Sequence, residues 1–535
     1  MSYTGEPSAI YGDSTTETET QGDYHDRFIY ELLQNADDAI EGRDDAAVRF
    51  ELDGSTLYVA NTGRPLSAKD VHSLCIQGLS SKSDDEAAIG RKGRGFTSVL
   101  ELTDRPRVYS TKYQFVFDGS QAKDALRKNT RVDDDLSDTD VPTLRLPFVP
   151  ETKPARVTEL LAEESAFTTV FAFDLFEDIQ PTIGEKLNAI DSQTLVFLQH
   201  LRQLEISVDD NEAIWTLDRK KPASIVEMEG QQVTLSKHES SITTSPVTQQ
   251  AYAKFSRTGI EITQRTGIPE GSWEGIETTQ VGVAFCIETD QHGESVRLRP
   301  VQDDPSIHVF LPTEQASPGQ FLINGAFKPE SSRTRLKLFD RNKGYNALLF
   351  DHVAKLITND VIKFAQETDT SVTDVLECLH INAIRLNDDC EEYCAERIRH
   401  EIADVPFIPT PDTDEKFEVD TARAAISELR TPSTELLPAD LIKRFVEIAG
   451  PQSLPQSVSD TTTYLPSEEV VSKAAIESLQ SLGTDELRPA NIPAVLAATN
   501  PERAHLKPYE TVASRAAVDP IIEVLLGVDA AIGGE

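Results

Sequence analysis

Cysteine is scarce in this chain. Five thiols in 535 residues, at positions 75, 286, 378, 390 and 394, are too few and too irregularly spaced for a disulfide framework. A reducing cytoplasm is the expected compartment. Basic residues are also short: 51 Lys and Arg stand against 90 Asp and Glu, a formal charge of −39 with acid in every segment rather than in one tail. That balance disfavours simple electrostatic adhesion to nucleic acid or to an anionic membrane. It is the pattern of a halophilic surface, built for salt that screens charge to Debye lengths of about 3 Å at 1 M. No stretch approaches the roughly 18 apolar residues of a membrane span. The start, MSYTGEPSAIYGDSTTETETQGDYHDRF, has neither a basic n-region nor an apolar h-region, and its first 24 residues read as a loosely ordered polar leader.

What is present is a polar stripe on a helix, followed some fifty residues later by a glycine cluster. In Glu31-Leu32-Leu33-Gln34-Asn35-Ala36-Asp37-Asp38, positions i, i+4 and i+7 place Glu31, Asn35 and Asp38 on one face, while Ile29, Leu32, Leu33, Ala36 and Ile40 form the apolar one. A carboxylate one turn from a carboxamide is what metal-assisted phosphoanhydride hydrolysis needs, the first to polarise water and the second to help hold Mg²⁺. Asp38 either orients such a site or caps helix contacts. Gly90, Gly93 and Gly95 give GxxGxG immediately before a helix expected to start at Phe96, so unpaired backbone N–H groups can converge on phosphate oxygens. This is not the Rossmann spacing, and no Walker lysine follows.

The set ELLQNADDA, VANTGRPLS, LSSKS and AIGRKGRGFTSV, in that order, resembles the GHKL ATPases, the group of gyrase, heat-shock chaperone, histidine kinase and MutL. It is most similar to the sacsin and NO VEIN-type branch, over roughly Phe28 to Gly119, with a weaker echo in residues 321–354. The resemblance implies ATP and Mg²⁺ as cofactors. It gives Glu31 the role of general base, Asn35 that of metal ligand, and Gly90, Gly93, Gly95 and Phe96 a place at the phosphates. Asn61 stands where most members have an Asp that receives the adenine amino proton, so its carbonyl oxygen would be the acceptor, with Gly63 allowing close backbone approach to the base. Histidine kinases usually carry Asn where Glu31 stands, so hydrolysis is expected rather than phosphotransfer. Lys82 either neutralises phosphate from a closing lid or is simply solvated. Thr169 either touches nucleotide or is a plain strand threonine, and Arg333 and Arg335 either reach the γ-phosphate from a second domain or are surface arginines.

The expected class is α+β: an N-terminal GHKL α/β sandwich (25–175), a β-rich middle domain (176–365) and a mainly helical C-terminal region (366–535). Val48, Phe50 and Leu52, then Leu57 and Val59, alternate around Asp53-Gly54 as a hairpin. Ser67 and Asp70 make a capping box, 78–90 a polar flexible stretch, Thr168–Phe173 a strand, Ile183–Gln203 one long helix, Val281–Cys286 and Ile307–Leu311 two strands, and Tyr345–Ala365 a helix. Cys378, His380, Cys390 and Cys394 lack a common zinc spacing, and the last two, at i and i+4, read as a buried helix seam. The expected activity is an ATPase with lid and domain closure in a chaperone-like or remodelling role, with a protein client or a second copy of the chain as partner. A nucleic-acid-linked or antiviral-defence machine and a nucleotide-dependent interaction module with little turnover are the alternatives.

Overall fold

The computed structural model describes residues 9–23, 27–40, 42, 45–75, 95–129, 141–162, 165–209, 211–220, 230–239, 246–262, 277–289, 296–330, 334–338, 344–368, 370–409, 423–432, 437, 439–449, 464–466, 470, 472–487, 491–499, 524–525 and 527–528. The polar leader is more ordered than its composition predicts: Ala9–Asp23 form a helix, α1. Ile10 anchors it apolarly against Ala122, Leu126 and Val141, and two carboxylates add polar ties. The buried Glu17 carboxylate accepts the backbone N–H groups of Thr143 (2.6 Å) and Leu144 (2.9 Å), and Asp13 pairs with Arg145 at 2.7 Å. Burial pushes Glu17 up to about 6 against those donors and Arg145. Composition missed this because the partners lie more than a hundred residues away.

The second helix, α2 (Phe28–Ala39), buries Ile29, Leu32, Leu33 and Ala36, and Ile40 just beyond it, as the apolar stripe requires. The hairpin follows as β1 (Ala47–Asp53) and β2 (Thr56–Asn61), paired from Val48↔Asn61 to Asp53↔Thr56 around Gly54 at φ +57°. Ser67 and Asp70 close their box ahead of α3 (Ala68–Cys75): Ser67 N–H donates to Asp70 Oδ2 at 2.8 Å, and Asp70 N–H to Ser67 Oγ at 3.3 Å. The expected helix at Phe96 is a 3₁₀ turn over Gly95–Glu101. Then come β3 (Arg107–Ser110), β4 (Gln114–Phe117), α4 (Gly119–Asn129), β5 (Pro147–Phe148), α5 (Ala155–Leu160) and β6 (Thr169–Asp174).

Ile183–Gln203 is not one helix. It divides into α6 (Gln180–Asn188) and α7 (Ser192–Leu195), the latter capped by Asp191, which accepts the Thr194 N–H at 2.8 Å, and a strap leads to β7 (Gln203–Val208). The Asp191 cap starts a new helix where hydrophobic periodicity alone suggests continuation. Beyond lie β8 (Asn211–Lys220), β9 (Gly230–Glu239), β10 (Thr248–Glu261), β11 (Thr278–Thr289) and β12 (Val296–Arg299). The strand expected over Ile307–Leu311 is a hairpin, β13 (Ser306–Val309) and β14 (Leu311–Ala316). The chain reverses at Phe310, whose φ of +63° is held by a 2.8 Å bond from its N–H to Asn324 Oδ1. After β15 (Leu322–Gly325) come α8 (Tyr345–Leu356), a π turn over Ile357–Val361, and α9 (Ile362–Glu367), the helix expected there. The remainder holds α10 (Val372–Leu379), α11 (Asp389–Ile402), β16 (Ile408–Pro409), β17 (Arg423–Ala424), β18 (Arg430–Pro432), α12 (Ala439–Ala449), α13 (Lys473–Leu482), β19 (Asp485–Leu487) and α14 (Ile492–Thr499).

Among the described residues β1 to β15 form one mixed sheet, ordered β14-β13-β15-β11-β10-β9-β8-β7-β1-β2-β6-β3-β4-β5, with β12 on β11. The sheet crosses residue 175 because β7 docks parallel to β1. One apolar cluster joins α2, the Gly95 turn, α6 and α7 to one sheet face, and it reaches Trp215, Tyr252, Leu311 and Leu322. The other face of β10, β11 and β15 packs against α8 to α11. Each fully buried Leu, Ile or Phe contributes roughly 1.5–3 kcal/mol. Among the described residues no helix is long and apolar enough to cross a membrane.

Candidate functional site

The site is assembled around α2. Glu31, in its first turn, is 5% exposed, whereas Asn35 and Asp38 on the same stripe are half-buried. Arg27, immediately before the helix, donates from Nη1 to the Pro312 carbonyl at 3.1 Å and lies 5.4 Å over the Tyr30 ring. The start of α2 is thereby fastened to β14, the strand at one end of the sheet order. The Gly95–Glu101 turn packs against α2, and α1 packs against that turn. The turn's Phe96 and Val99 join the apolar cluster of Ile29, Leu32 and Leu33, so the glycine-led turn neighbours the helix that carries the polar stripe.

At the sheet end, Asn61 is the last residue of β2, 4% exposed and paired in register with both Val48 and Thr169. Its Nδ2 is buried with no hydrogen-bond partner. An unmet amide donor inside a protein costs roughly 1–3 kcal/mol, and a ligand edge that accepts from it offsets that cost. Thr169 is also buried, its Oγ1 3.0 Å from Ser110 Oγ, and Ser110 Oγ accepts the Leu66 N–H at 3.0 Å. The Thr169 hydroxyl is thus occupied within the sheet end. Gly63 has a packing reason to lack a side chain: a Cβ there would fall 2.2 Å from the Ala39 carbonyl oxygen at the end of α2. Arg64 N–H donates to that same oxygen at 2.9 Å, so the β2 end and the α2 end are one joint.

The ring of Phe96 sits in the core, 5.7 Å from Phe171 and 6.3 Å from Phe117, which leaves its backbone for any ligand. Lys82, Gly90, Gly93 and Arg333 lie outside the described residues. Arg335 is half exposed, with Nε 3.5 Å from Glu314 Oε2. Its segment runs beside β14, where Glu314 N–H meets the Thr334 carbonyl at 2.9 Å, and so borders the edge that Arg27 grips.

The thiols fall into packing. Cys390 and Cys394 are buried on α11, and Cys378 is buried at the end of α10. Burial pushes all three thiols upward, Cys390 to about 12, the reverse of what a thiolate ligand needs. His380 Nδ1 lies 3.2 Å from Ser478 Oγ. Among the described residues no group of three or more His, Cys, Asp or Glu side chains is arranged to hold a metal.

Two residues that organise this region escaped the sequence reading. Asp37, fully buried, accepts the backbone N–H groups of Gln199 (2.9 Å), His200 (3.0 Å) and Leu201 (2.7 Å). Burial raises its carboxyl pKa, the three donors and His200 pulling the other way. Arg219 on β8 grips the same strap, donating to the Leu198 carbonyl at 2.9 Å and to that of Leu201. The signal for Asp37 was its phase: it lies at i+4 from Leu33 and three before Ile40, on the apolar stripe, where an acid must find partners. For Arg219 no sequence signal exists.

Comparison with known proteins finds similarity in the N-terminal part of the chain. Residues 21–216 match the family described as Sacsin domain. A 97-residue stretch is 34% identical to Protein NO VEIN of Arabidopsis thaliana, covering 18% of this chain and 4% of that protein. These findings support a sacsin/NO VEIN-type N-terminal region. The matched stretch ends within β8, beyond the Asp37 strap and β7.

Proposed function

We propose that the chain binds ATP with Mg²⁺ along α2 and hydrolyses it, in the manner of the GHKL ATPases that its motifs resemble. The observation that carries this reading is the packing of the glycine-led turn at Gly95 against the helix bearing Glu31, Asn35 and Asp38. Asn35 would hold the metal, which supplies charge neutralisation at the phosphates. Glu31 would accept a proton from the attacking water. Asn61 would meet the adenine edge with its side-chain amide, the carbonyl oxygen accepting from the amino group as the resemblance implies and the unmet NH₂ donating to a ring nitrogen, and Arg335, from a segment beside β14, would add positive charge when that edge closes. The domain closure serves a chaperone-like or remodelling role on a protein client. The acidic surface disfavours nucleic acid as that partner.

The test is nucleotide titration and phosphate release on the full chain in high salt. Glu31→Ala should keep ATP affinity while turnover falls roughly 100-fold or more, and Asn35→Ala should lose Mg²⁺-dependent binding. Unchanged phosphate release by the Glu31 variant would refute its role. A second reading, an ATP-holding interaction module with little turnover, rests on Glu31 being 5% exposed, since a general base must meet water. Slow wild-type phosphate release with tight binding would select it.

A further inference from the structure

Beside the strap that Asp37 clasps, polar groups gather around one lysine. Lys254 projects from β10 on the same face as Tyr252 and Ser256. With Gln199, Gln231, Ser256, Gln280 and Asn324 it lines a cavity of about 390 Å³. Lys254 as a residue is half-buried, and its ammonium makes no hydrogen bond or salt bridge among the described residues.

Among the described residues Asp37 and Arg219 are the charged groups that act on it, with opposite sign. Asp37 is the nearby carboxylate, but both of its oxygens are taken by backbone N–H groups of the strap. Arg219 is a second cation, spending two N–H groups on carbonyls while its Nε has no partner. Two cations thus face one carboxylate, a local excess of positive charge inside a chain of net charge −39. The lining suits an acceptor ligand. Amide and hydroxyl side chains line the space together with Phe197 and Val281, and the Asn324 carbonyl oxygen already accepts the Phe310 N–H at 2.8 Å, which leaves its NH₂ group to face a ligand. The Lys254 ammonium disfavours a cation, and its charge together with the amides disfavours a purely apolar guest.

We propose that this cavity is a binding site for a small oxyanion, a phosphate- or carboxylate-bearing molecule whose charge completes Lys254 and whose oxygens accept from the surrounding amides. It is distinct from the proposed nucleotide site, since none of Glu31, Asn35, Asp38 and Asn61 lines it.

Burial, then Arg219, lowers Lys254 to about 8, opposed by Asp37. At pH 8 about half of it is therefore free amine and open to acylation. In the full chain at constant ionic strength, an acetylation pulse read by peptide mass spectrometry should label Lys254 readily. Inorganic phosphate or malonate should suppress that labelling saturably, at least fivefold, without changing Lys123 or Lys363. Suppression by phosphate alone identifies a phosphate group, and suppression by both identifies any oxyanion. By calorimetric titration, Lys254→Met should weaken binding of the effective anion tenfold or more, Lys254→Arg should retain it within a few-fold, and Asn35→Ala should leave it unchanged, which separates this site from nucleotide binding. Labelling insensitive to both anions overturns the proposal even where Lys254→Met does not fold. Equal affinity of Lys254→Met and wild type also overturns it.

Discussion

Replacing Asp37 by asparagine tests how α2 is held. Oδ1 accepts the N–H groups of His200 and Leu201, and Oδ2 that of Gln199. The amide keeps one oxygen, so two bonds survive without charge assistance, each weaker by roughly 0.5–1 kcal/mol. The third N–H then faces an NH₂ group and is orphaned in the interior, at roughly 1–3 kcal/mol. Relief of the buried charge returns part of this, and loss of a counter-charge to Arg219 removes part. The net expectation is about 3 kcal/mol of local stability, which at 1.36 kcal/mol per decade is roughly 150-fold faster opening of the strap. Hydrogen exchange of the Gln199–Leu201 amides measures it directly, and suits a chain of several cores better than a global midpoint. Asp38→Asn, one position along on the half-buried side, should leave those amides within a few-fold of wild type. An Asp37→Asn effect below tenfold, or an equal effect from Asp38→Asn, would refute the reasoning.

His308 is fully buried against Phe197, at 5.1 Å between rings, with neither nitrogen partnered, and burial lowers it to about 3. The unfolded chain binds the proton near pH 6.5 and the folded one does not, so this residue's contribution is complete above pH 6.5 and is lost as pH falls toward 3. Between pH 7 and 5 about 2 kcal/mol should disappear, and His308→Phe should flatten that slope in urea titrations at the two pH values; an unchanged slope contradicts it. Asn61→Asp replaces an amide that can donate or accept with a carboxylate that only accepts, so ATP should gain over GTP by about tenfold in titration relative to wild type; an unchanged ratio removes Asn61 from the base. The −39 chain should melt higher in molar salt than at low ionic strength, as self-repulsion is screened; a flat melting temperature counts against a halophilic surface.

Local chemistry was legible wherever the relevant partners lie close in sequence. The α2 stripe, the β1–β2 hairpin around Gly54, the Ser67–Asp70 box, β6, β11 and the α8–α9 stretch all follow from periodicity and turn residues read within a short window. The failures share a different origin. The leader forms α1 because Glu17 meets Thr143 and Leu144, and the 183–203 stretch breaks because Asp191 caps a new helix and the strap beyond is clasped by Asp37 and Arg219. Ile307–Leu311 folds back because Asn324 holds Phe310 at positive φ.

By itself the sequence determined the polar and apolar faces of α2, the glycine-led turn downstream and the strand end at Asn61, because each depends on spacing along a regular element. Only the tertiary structure decided which acid beside that stripe is structural, that β7 extends the sheet through β1, that Arg27 ties α2 to β14, and that Lys254 lines a cavity with amide side chains. Those outcomes depend on burial and on charges brought together from strands far apart in the chain. Desolvation makes such groups costly until partners arrive, and no local pattern encodes which partners the fold will supply.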